Sequence, residues 1–174
     1  MQSKTASIFG ARIGMRSPRL KNIPDEKLPE LLTQVRQNLD KGFSSGAERS
    51  LVEMLENNLL TLEQQAKIQQ LLSYTFETQG RYKESLEAIE YFDNDAILSE
   101  LQTETQIRVL TQLAISYNNQ TDSPKAVALL EKARKKAEEN KLNDILGSIF
   151  VAFSRVYRKL NEFPIARDYA DKSL

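Results

Sequence analysis

The side chains that could do chemistry in this sequence are carboxylates, amines, guanidinium groups, hydroxyls and amides, because its 174 residues include no Cys, His or Trp. That absence excludes disulfides, Cys/His zinc sites, thiolate nucleophiles and imidazole acid–base catalysis. The sequence also contains no Gly-x-Ser-x-Gly motif, phosphate-binding glycine loop or paired-carboxylate motif. We therefore expect no enzymatic activity, no cofactor and no metal site. What remains is ion pairing and hydrogen bonding with a partner.

Positive charge is concentrated at the N-terminus. The chain has 24 Lys and Arg against 24 Asp and Glu, but residues 1–24 contain no acid. Their five cations are Lys4, Arg12, Arg16, Arg19 and Lys21. Such a segment is consistent with an inert solvated arm, a docking arm for an acidic partner, a surface that contacts phosphates, or an organelle-targeting peptide. We predict a basic N-terminal arm at 1–24 and a folded domain at 25–174.

The folded domain contains an internal repeat. Residues 109–133 match residues 149–173 at a shift of 40, and an earlier copy matches at a shift of 41. The shared pattern is a large apolar residue, a small residue, an aromatic and later a second small residue. These positions hold Leu72, Ser73, Phe76 and Ser85; Leu113, Ala114, Tyr117 and Ala126; and Phe153, Ser154, Tyr157 and Ala166. A degenerate first copy, at a further shift of 38, holds Gly42, Ala47, Leu51 and Met54, which makes four copies.

Each copy is predicted to form two antiparallel α-helices, because apolar residues of the first segment recur at the 3, 4 and 7 spacing of one helical face. Asp122 or Ser123 before Pro124 predicts the start of a second helix, and so does Phe163 before Pro164. Capping boxes that open first helices are predicted at Thr61 with Gln64 and at Ser99 with Gln102.

Residue size at fixed repeat positions predicts the packing. Small residues at Ser85, Ala126 and Ala166 should let the two helices of a copy approach closely. Aromatic residues at helical spacing usually fill a core, and we expect this of Tyr82, Tyr117, Tyr157 and Phe163.

These positions resemble the tetratricopeptide repeat, in which two helices carry large, small and aromatic residues at fixed places around a turn glycine. The resemblance covers about residue 27 to the end. It implies an all-α fold in which about four helical hairpins form a right-handed α–α superhelix, and it leaves open whether the last hairpin is incomplete. The period of 38 to 41 exceeds the usual 34, and Thr121 and Asn161 replace the turn glycine. The longer period resembles extended variants of the family, found in signalling regulators and cargo adaptors among others.

In such arrays the first helices line a concave surface, so the resemblance implies that a partner binds there. The repeat phase places on it Arg36; Lys67, Gln70, Tyr74 and Glu77; Arg108, Gln112, Asn118 and Asn119; and Arg155, Arg158 and Lys159. Cations outnumber acids in this set, which favours an acidic peptide. An ordinary solvated polar face is the alternative. The slots that form the carboxylate clamp of chaperone-binding relatives hold Thr33, Arg36, Gln70, Tyr74, Thr111 and Ile115, which argues against that clamp.

The leading hypothesis is a non-enzymatic protein–protein interaction module, a scaffold or adaptor, that binds a peptide or a partner helix. The alternative is a regulatory sensor domain that binds a signalling peptide and controls an effector in another chain or in a missing region. We expect a cytoplasmic location, with organelle targeting by the basic arm left open, no transmembrane segment and no nucleic acid partner. The fourth copy still follows the repeat at Leu174, so we also expect self-association or partner binding through Phe163, Ala166, Tyr169 and Ala170.

Overall fold

The computed structural model describes residues 21–174, in which the chain forms nine α-helices, a 3-10 turn and a two-stranded parallel sheet. The predicted arm residues Lys4, Arg12, Arg16 and Arg19 lie outside the described residues. In chain order the elements are β1 (Lys21–Asn22), α1 (Leu28–Asp40), α2 (Ser44–Asn57), β2 (Asn58–Leu59), α3 (Leu62–Thr78), α4 (Tyr82–Glu87), the 3-10 turn (Glu90–Phe92), α5 (Asp95–Ser99), α6 (Thr103–Asn119), α7 (Ser123–Glu139), α8 (Asn143–Lys159) and α9 (Phe163–Lys172).

Helix and turn lengths explain the repeat period. The helices α6, α7 and α8 each have 17 residues, and three residues separate each from the next. Two such helices with their turns make a repeat of 40, which is the shift seen in the sequence. The described residues are thus all-α in class and form four helical hairpins: α1 with α2, α3 with α4, α6 with α7, and α8 with α9.

The hairpins pack in sequence order. Each first helix contacts the first helix of the next hairpin, as α1 does with α3, α3 with α6 and α6 with α8. Each second helix contacts the first helix that follows it. Two apolar clusters result, one around α1, α2 and α3 and one around α6, α7 and α8, and both include residues of α3. Helix α3 therefore joins the two halves of the core.

Five helix ends use the same left-handed turn. The residue just past the helix has a φ between +58° and +83°, a conformation that favours glycine. In the second hairpin this residue is Gly80, and the next amide, of Arg81, donates to the Phe76 carbonyl at 2.9 Å. The five residues are Gly42, Gly80, Thr121, Lys141 and Asn161. The positions at which Thr121 and Asn161 replace glycine thus keep the backbone that glycine would adopt.

The small residues predicted at the helix contacts are buried. Ser85 and Ala126 are fully buried, and Ala166 is 6% exposed. Ser85 also lies within hydrogen-bond distance of two other buried hydroxyls, Ser73 and Ser116, with Oγ–Oγ distances of 3.0 and 3.0 Å, and Ser73 and Ser116 are 3.3 Å apart. Each hydroxyl of this triangle can donate once and accept once, so the junction of α3, α4 and α6 contains no unpaired hydroxyl.

The second helix of the second copy is broken, although the repeat predicts one continuous helix. It ends at Glu87, and Ile89 has a φ of −127°, far from the helical value. The 3-10 turn and α5 then fill the place of the missing turns. The carboxylate of Asp93 accepts a hydrogen bond from the Tyr117 hydroxyl at 2.6 Å and pairs with Lys125 at 2.5 Å. These bonds fix the irregular segment to α6 and α7.

Predicted helix starts are mostly right. The capping box of Thr61 with Gln64 is present, and Asp122 caps α7 ahead of Pro124. The box predicted from Ser99 with Gln102 is wrong, because Ser99 is the last residue of α5 and the side chain of Gln102 caps nothing. Two predicted core aromatics are also wrong: Tyr82 is 45% exposed and Phe163 is 59% exposed.

Residues 21–23, which were predicted to belong to the basic arm, are instead attached to the folded domain. Lys21 and Asn22 pair with Asn58 and Leu59, and Ile23 is buried. The Gln64 side-chain amide donates to the Ile23 carbonyl at 2.9 Å. Among residues 21–174, no helix combines the length and the apolar character that a bilayer crossing requires.

Candidate functional site

The first helices of three hairpins enclose a groove. The N-terminal halves of α1, α3 and α6 surround a cavity of about 490 Å³, which we call the N-terminal groove. Its apolar wall includes Leu28, Pro29, Leu32 and Val109, and its polar residues include Thr33, Arg36, Lys67, Gln70 and Arg108. Four of the predicted partner-binding residues, Arg36, Lys67, Gln70 and Arg108, thus line one cavity. Tyr74, one turn beyond Gln70 on α3, is 37% exposed.

Two of the groove cations are paired with carboxylates of their own helix. Lys67 lies 3.1 Å from Glu63, and Arg108 lies 2.8 Å from Glu104. Both are contacts between residues four positions apart, which stabilise a helix only slightly. These cations are already neutralised within the chain, so an acidic ligand would compete with Glu63 and Glu104 for them.

Arg36 differs from its neighbours, because no carboxylate of the described residues lies within ion-pair distance of it. Removal of water from its guanidinium group and repulsion by Arg108 lower the pKa of Arg36, against smaller opposite effects of Tyr74 and Asp40. An arginine stays charged even so. A negative group placed beside Arg36 would therefore gain an unused partner and relieve the repulsion from Arg108.

Carboxylates in the groove correct the expectation that cations dominate it. The residues that line the N-terminal groove include three acids, Asp25, Glu63 and Glu104, beside three cations. Sequence reasoning missed these acids because it took only residues at the expected groove positions of each copy. The groove is therefore not uniformly basic. Within the described part of the chain, Arg36 is its one cation without an ion-pair partner, and Asp25, which accepts a hydrogen bond from the Gln64 side chain at 2.6 Å, is an acid without one.

Glu63 connects two hairpins. Its carboxylate accepts hydrogen bonds from the Thr105 hydroxyl at 2.5 Å and from the backbone N–H of Gln102 at 3.0 Å. Burial alone would raise the pKa of Glu63, but these bonds and Lys67 outweigh burial and lower it. Glu63 thus caps the N-terminus of α6 from α3, in the place where Ser99 was expected to act. Capping patterns compare residues close in sequence and cannot find a cap 39 positions away.

A second cluster lies farther along the same face of α3. One oxygen of Glu77 pairs with Arg155 of α8 at 2.9 Å, and the other accepts a hydrogen bond from the Gln112 amide of α6 at 3.2 Å. We call this contact the Glu77 bridge. It joins the second hairpin to the fourth across α6. The predicted residues Gln112 and Arg155 therefore serve an internal contact here.

The remaining predicted residues are spread over the last two hairpins. The Lys159 ammonium group donates to the Asn118 carbonyl at the end of α6, and the Asn118 side chain accepts a hydrogen bond from Ser123 at 2.9 Å. Asn118 is 6% exposed, so it supports the fold. The side-chain nitrogen of Asn119 is buried and has no hydrogen-bond partner among residues 21–174, and Arg158 is exposed.

Comparison with known proteins gives no match: no family model, no curated protein and no solved structure matches this chain. The chemistry of the site therefore rests on its own geometry. The N-terminal groove offers an unpaired guanidinium group, a neighbouring arginine, amide groups and apolar side chains, which is a set suited to binding an extended chain with an acidic group.

Proposed function

We propose that this protein is a non-enzymatic protein–protein interaction module, a scaffold or adaptor, that binds a peptide or a partner helix in the N-terminal groove. The observation that carries the proposal is Arg36, an exposed residue that lines a groove of about 490 Å³ and has no carboxylate partner among the described residues. Cavities of several hundred cubic ångströms accommodate small ligands, and here the volume suits a few residues of a peptide.

The mixture of groups along the groove supports a peptide ligand over a simple ion. Leu28 and Leu32 give apolar contact, whereas Gln70 offers a donor and an acceptor to a peptide backbone. An acidic side chain of the peptide would pair with Arg36, which agrees with the acidic ligand expected from the sequence. A ligand that spans these groups must present acidic, polar and apolar atoms in succession, which a peptide segment does.

The tetratricopeptide resemblance is part of the same proposal. Four hairpins in sequence order, with consecutive first helices in contact, support a right-handed superhelix of the long-period kind. In that arrangement the N-terminal groove belongs to the concave surface. The cytoplasmic location and the absence of a nucleic acid partner stay predictions from the sequence.

The test is a selection of binding peptides from a displayed library of 12-residue sequences, using the full chain as bait. The variant Arg36→Glu with Arg108→Glu should lose the selected peptides. Its matched control, Lys83→Glu with Lys135→Glu, makes the same change of net charge at two side chains that are each 76% exposed and lie outside the groove. Equal binding by both variants, or no enriched peptide at all, would contradict the proposal.

A regulatory sensor is the second candidate, and the Glu77 bridge favours it. Because the bridge links the second hairpin to the fourth, a peptide that alters it would change how these hairpins are held. A sensor should then show altered protection of α8 from hydrogen exchange when a selected peptide binds. A scaffold should show protection at the groove alone.

Self-association through the C-terminal repeat remains a separate proposal. Phe163 and Ala170 are exposed, whereas Ala166 is buried and the Tyr169 ring stacks on Phe153 of α8 with 4.5 Å between ring centroids. Only part of the predicted face is therefore open to a partner. Sedimentation over a hundredfold range of concentration would reveal an association, and a constant monomer mass would exclude it.

A further inference from the structure

We infer that Arg155 and Gln112 form a second carboxylate-binding subsite of the concave surface, which the chain's own Glu77 occupies and from which an acidic peptide must displace it. The inference rests on the proposed function and adds its regulation: Glu77 acts as an internal competitor of the ligand. While the Glu77 bridge is formed, an acidic peptide would bind in the N-terminal groove alone. It would reach Arg155 and Gln112 only after breaking the bridge.

The geometry of the bridge is that of a bound carboxylate. Glu77 uses both oxygens, one toward Arg155 at 2.9 Å and one toward Gln112 at 3.2 Å. Gln112 is only 3% exposed, so its amide is held in place by the fold. A positioned amide beside a guanidinium group is a site that any carboxylate of suitable reach could fill.

Arg155 remains accessible while it holds Glu77. Its side chain is 46% exposed, whereas that of Glu77 is 12% exposed. A guanidinium group has five N–H donors, and the described contacts of Arg155 use one of them. The remaining N–H groups of Arg155 therefore face solvent, from which an incoming carboxylate can compete with Glu77 for them.

The position of Glu77 explains why an acidic peptide would meet it. Gln70, Tyr74 and Glu77 follow one another at spacings of four and three, so they share one face of α3. A peptide that leaves the N-terminal groove along this face reaches the Glu77 carboxylate next. An acidic side chain there is repelled as long as Glu77 stays, and gains Arg155 once Glu77 has gone.

The experiment measures binding of a capped, fluorescein-labelled hexaglutamate peptide to the full chain by fluorescence anisotropy. The variant Glu77→Gln should bind it about fivefold more tightly than the wild type, since a partly exposed ion pair contributes about a factor of five. The matched control Glu139→Gln removes the same charge from an exposed residue whose one ion pair in the described part of the chain is with Lys135, and it should change affinity less than twofold. In a protein that already carries Arg155→Gln, adding Glu77→Gln should raise the affinity for hexaglutamate by less than fivefold.

A second measurement on the wild type avoids any effect of substitution on folding. The Nε–Hε resonance of Arg155 should shift during titration with hexaglutamate. Equal affinities of Glu77→Gln and Glu139→Gln, an unmoved Arg155 resonance at saturation, or no binding by any variant would each overturn the inference. Library peptides that are lost with the Arg36 and Arg108 substitutions would still support the proposed function, so the two failures are distinguishable.

Discussion

Replacing Glu63 with Gln should weaken the attachment of the third hairpin to the second. The carboxylate accepts hydrogen bonds from the Thr105 hydroxyl and the Gln102 amide and pairs with Lys67. A glutamine has no charge and accepts at its oxygen only. That oxygen can accept from the Gln102 backbone N–H while the NH₂ group donates to the Thr105 hydroxyl, so the two hydrogen bonds to a charged group become neutral ones and the pairing with Lys67 is lost. Because hydrogen bonds to a charged group contribute about 1.5 to 3 kcal/mol, we expect a loss of about 2 kcal/mol in the free energy of unfolding at pH 7.

The stabilisation by Glu63 should decrease as the pH falls. The folded structure lowers the pKa of Glu63 below its ordinary value of 4.5, so the folded state holds this proton less tightly than the unfolded state. The stabilisation is therefore complete above about pH 5 and disappears as pH falls through the folded pKa. The difference between wild type and Glu63→Gln should shrink over the same range.

Urea unfolding at a series of pH values measures both effects. The matched control is Glu104→Gln, at a residue of the same groove whose side chain is 55% exposed and whose one ion pair within residues 21–174 is with Arg108, one turn away. It should cost about 0.5 kcal/mol or less at any pH. Equal losses for the two variants, or a Glu63→Gln loss that is unchanged at pH 3, would refute the role of Glu63 as a cap of α6.

Three further substitutions test the packing and the turns. Thr121→Gly should raise stability by about 1 kcal/mol in urea unfolding, because a β-branched residue at a φ of 71° is strained, and Thr121→Asn should give part of that gain. Ala126→Leu should cost roughly 2 kcal/mol by overpacking a fully buried position, whereas Ala128→Leu, at an exposed position of the same helix, should be nearly neutral in thermal unfolding. Tyr169→Ala should cost about 2 kcal/mol and speed hydrogen exchange in α9, whereas Tyr169→Phe keeps the stack on Phe153 and should not.

The parts of the fold that repeat could be predicted from the sequence. Ser85, Ala126 and Ala166 are small because two helices meet there, and that requirement returns once in every copy. The same regularity predicted the turns, and it even marked Thr121 and Asn161 as unusual. Local chemistry also sufficed for the cap at Thr61, since both partners of that capping box lie within one turn.

The break after α4 shows what a repeat pattern cannot predict. Ile89 and Phe92 keep the spacing of a helical face and are both buried, so the sequence favours a continuous helix. The irregular segment is instead fixed by bonds from Asp93 to Tyr117 and Lys125, which are 24 and 32 positions away. No local pattern contains such partners. The prediction that Tyr82 and Phe163 are buried was wrong for a related reason, because their exposure depends on which neighbouring elements cover them.

Four of the residues predicted to bind a partner lie together, but the acids beside them were not predicted. Arg36, Lys67, Gln70 and Arg108 do line one cavity, because the repeat phase determines which face of each first helix points there. Which of these charges has a partner depends on contacts between hairpins. Arg155 is the clearest case, since its partner Glu77 is 78 positions away.

One face of α3 both builds the fold and lines the groove. Glu63 at its start holds the N-terminus of α6, and Glu77 near its end holds α8. A substitution at either carboxylate therefore changes the arrangement of the hairpins as well as the chemistry of the surface. Arg36 has no such internal partner among the described residues, so replacing it should alter binding while leaving the hairpins in place. For this reason a loss of peptide binding on Arg36→Gln alone, with unchanged urea unfolding, would be the most direct sign that the groove recognises an acidic group.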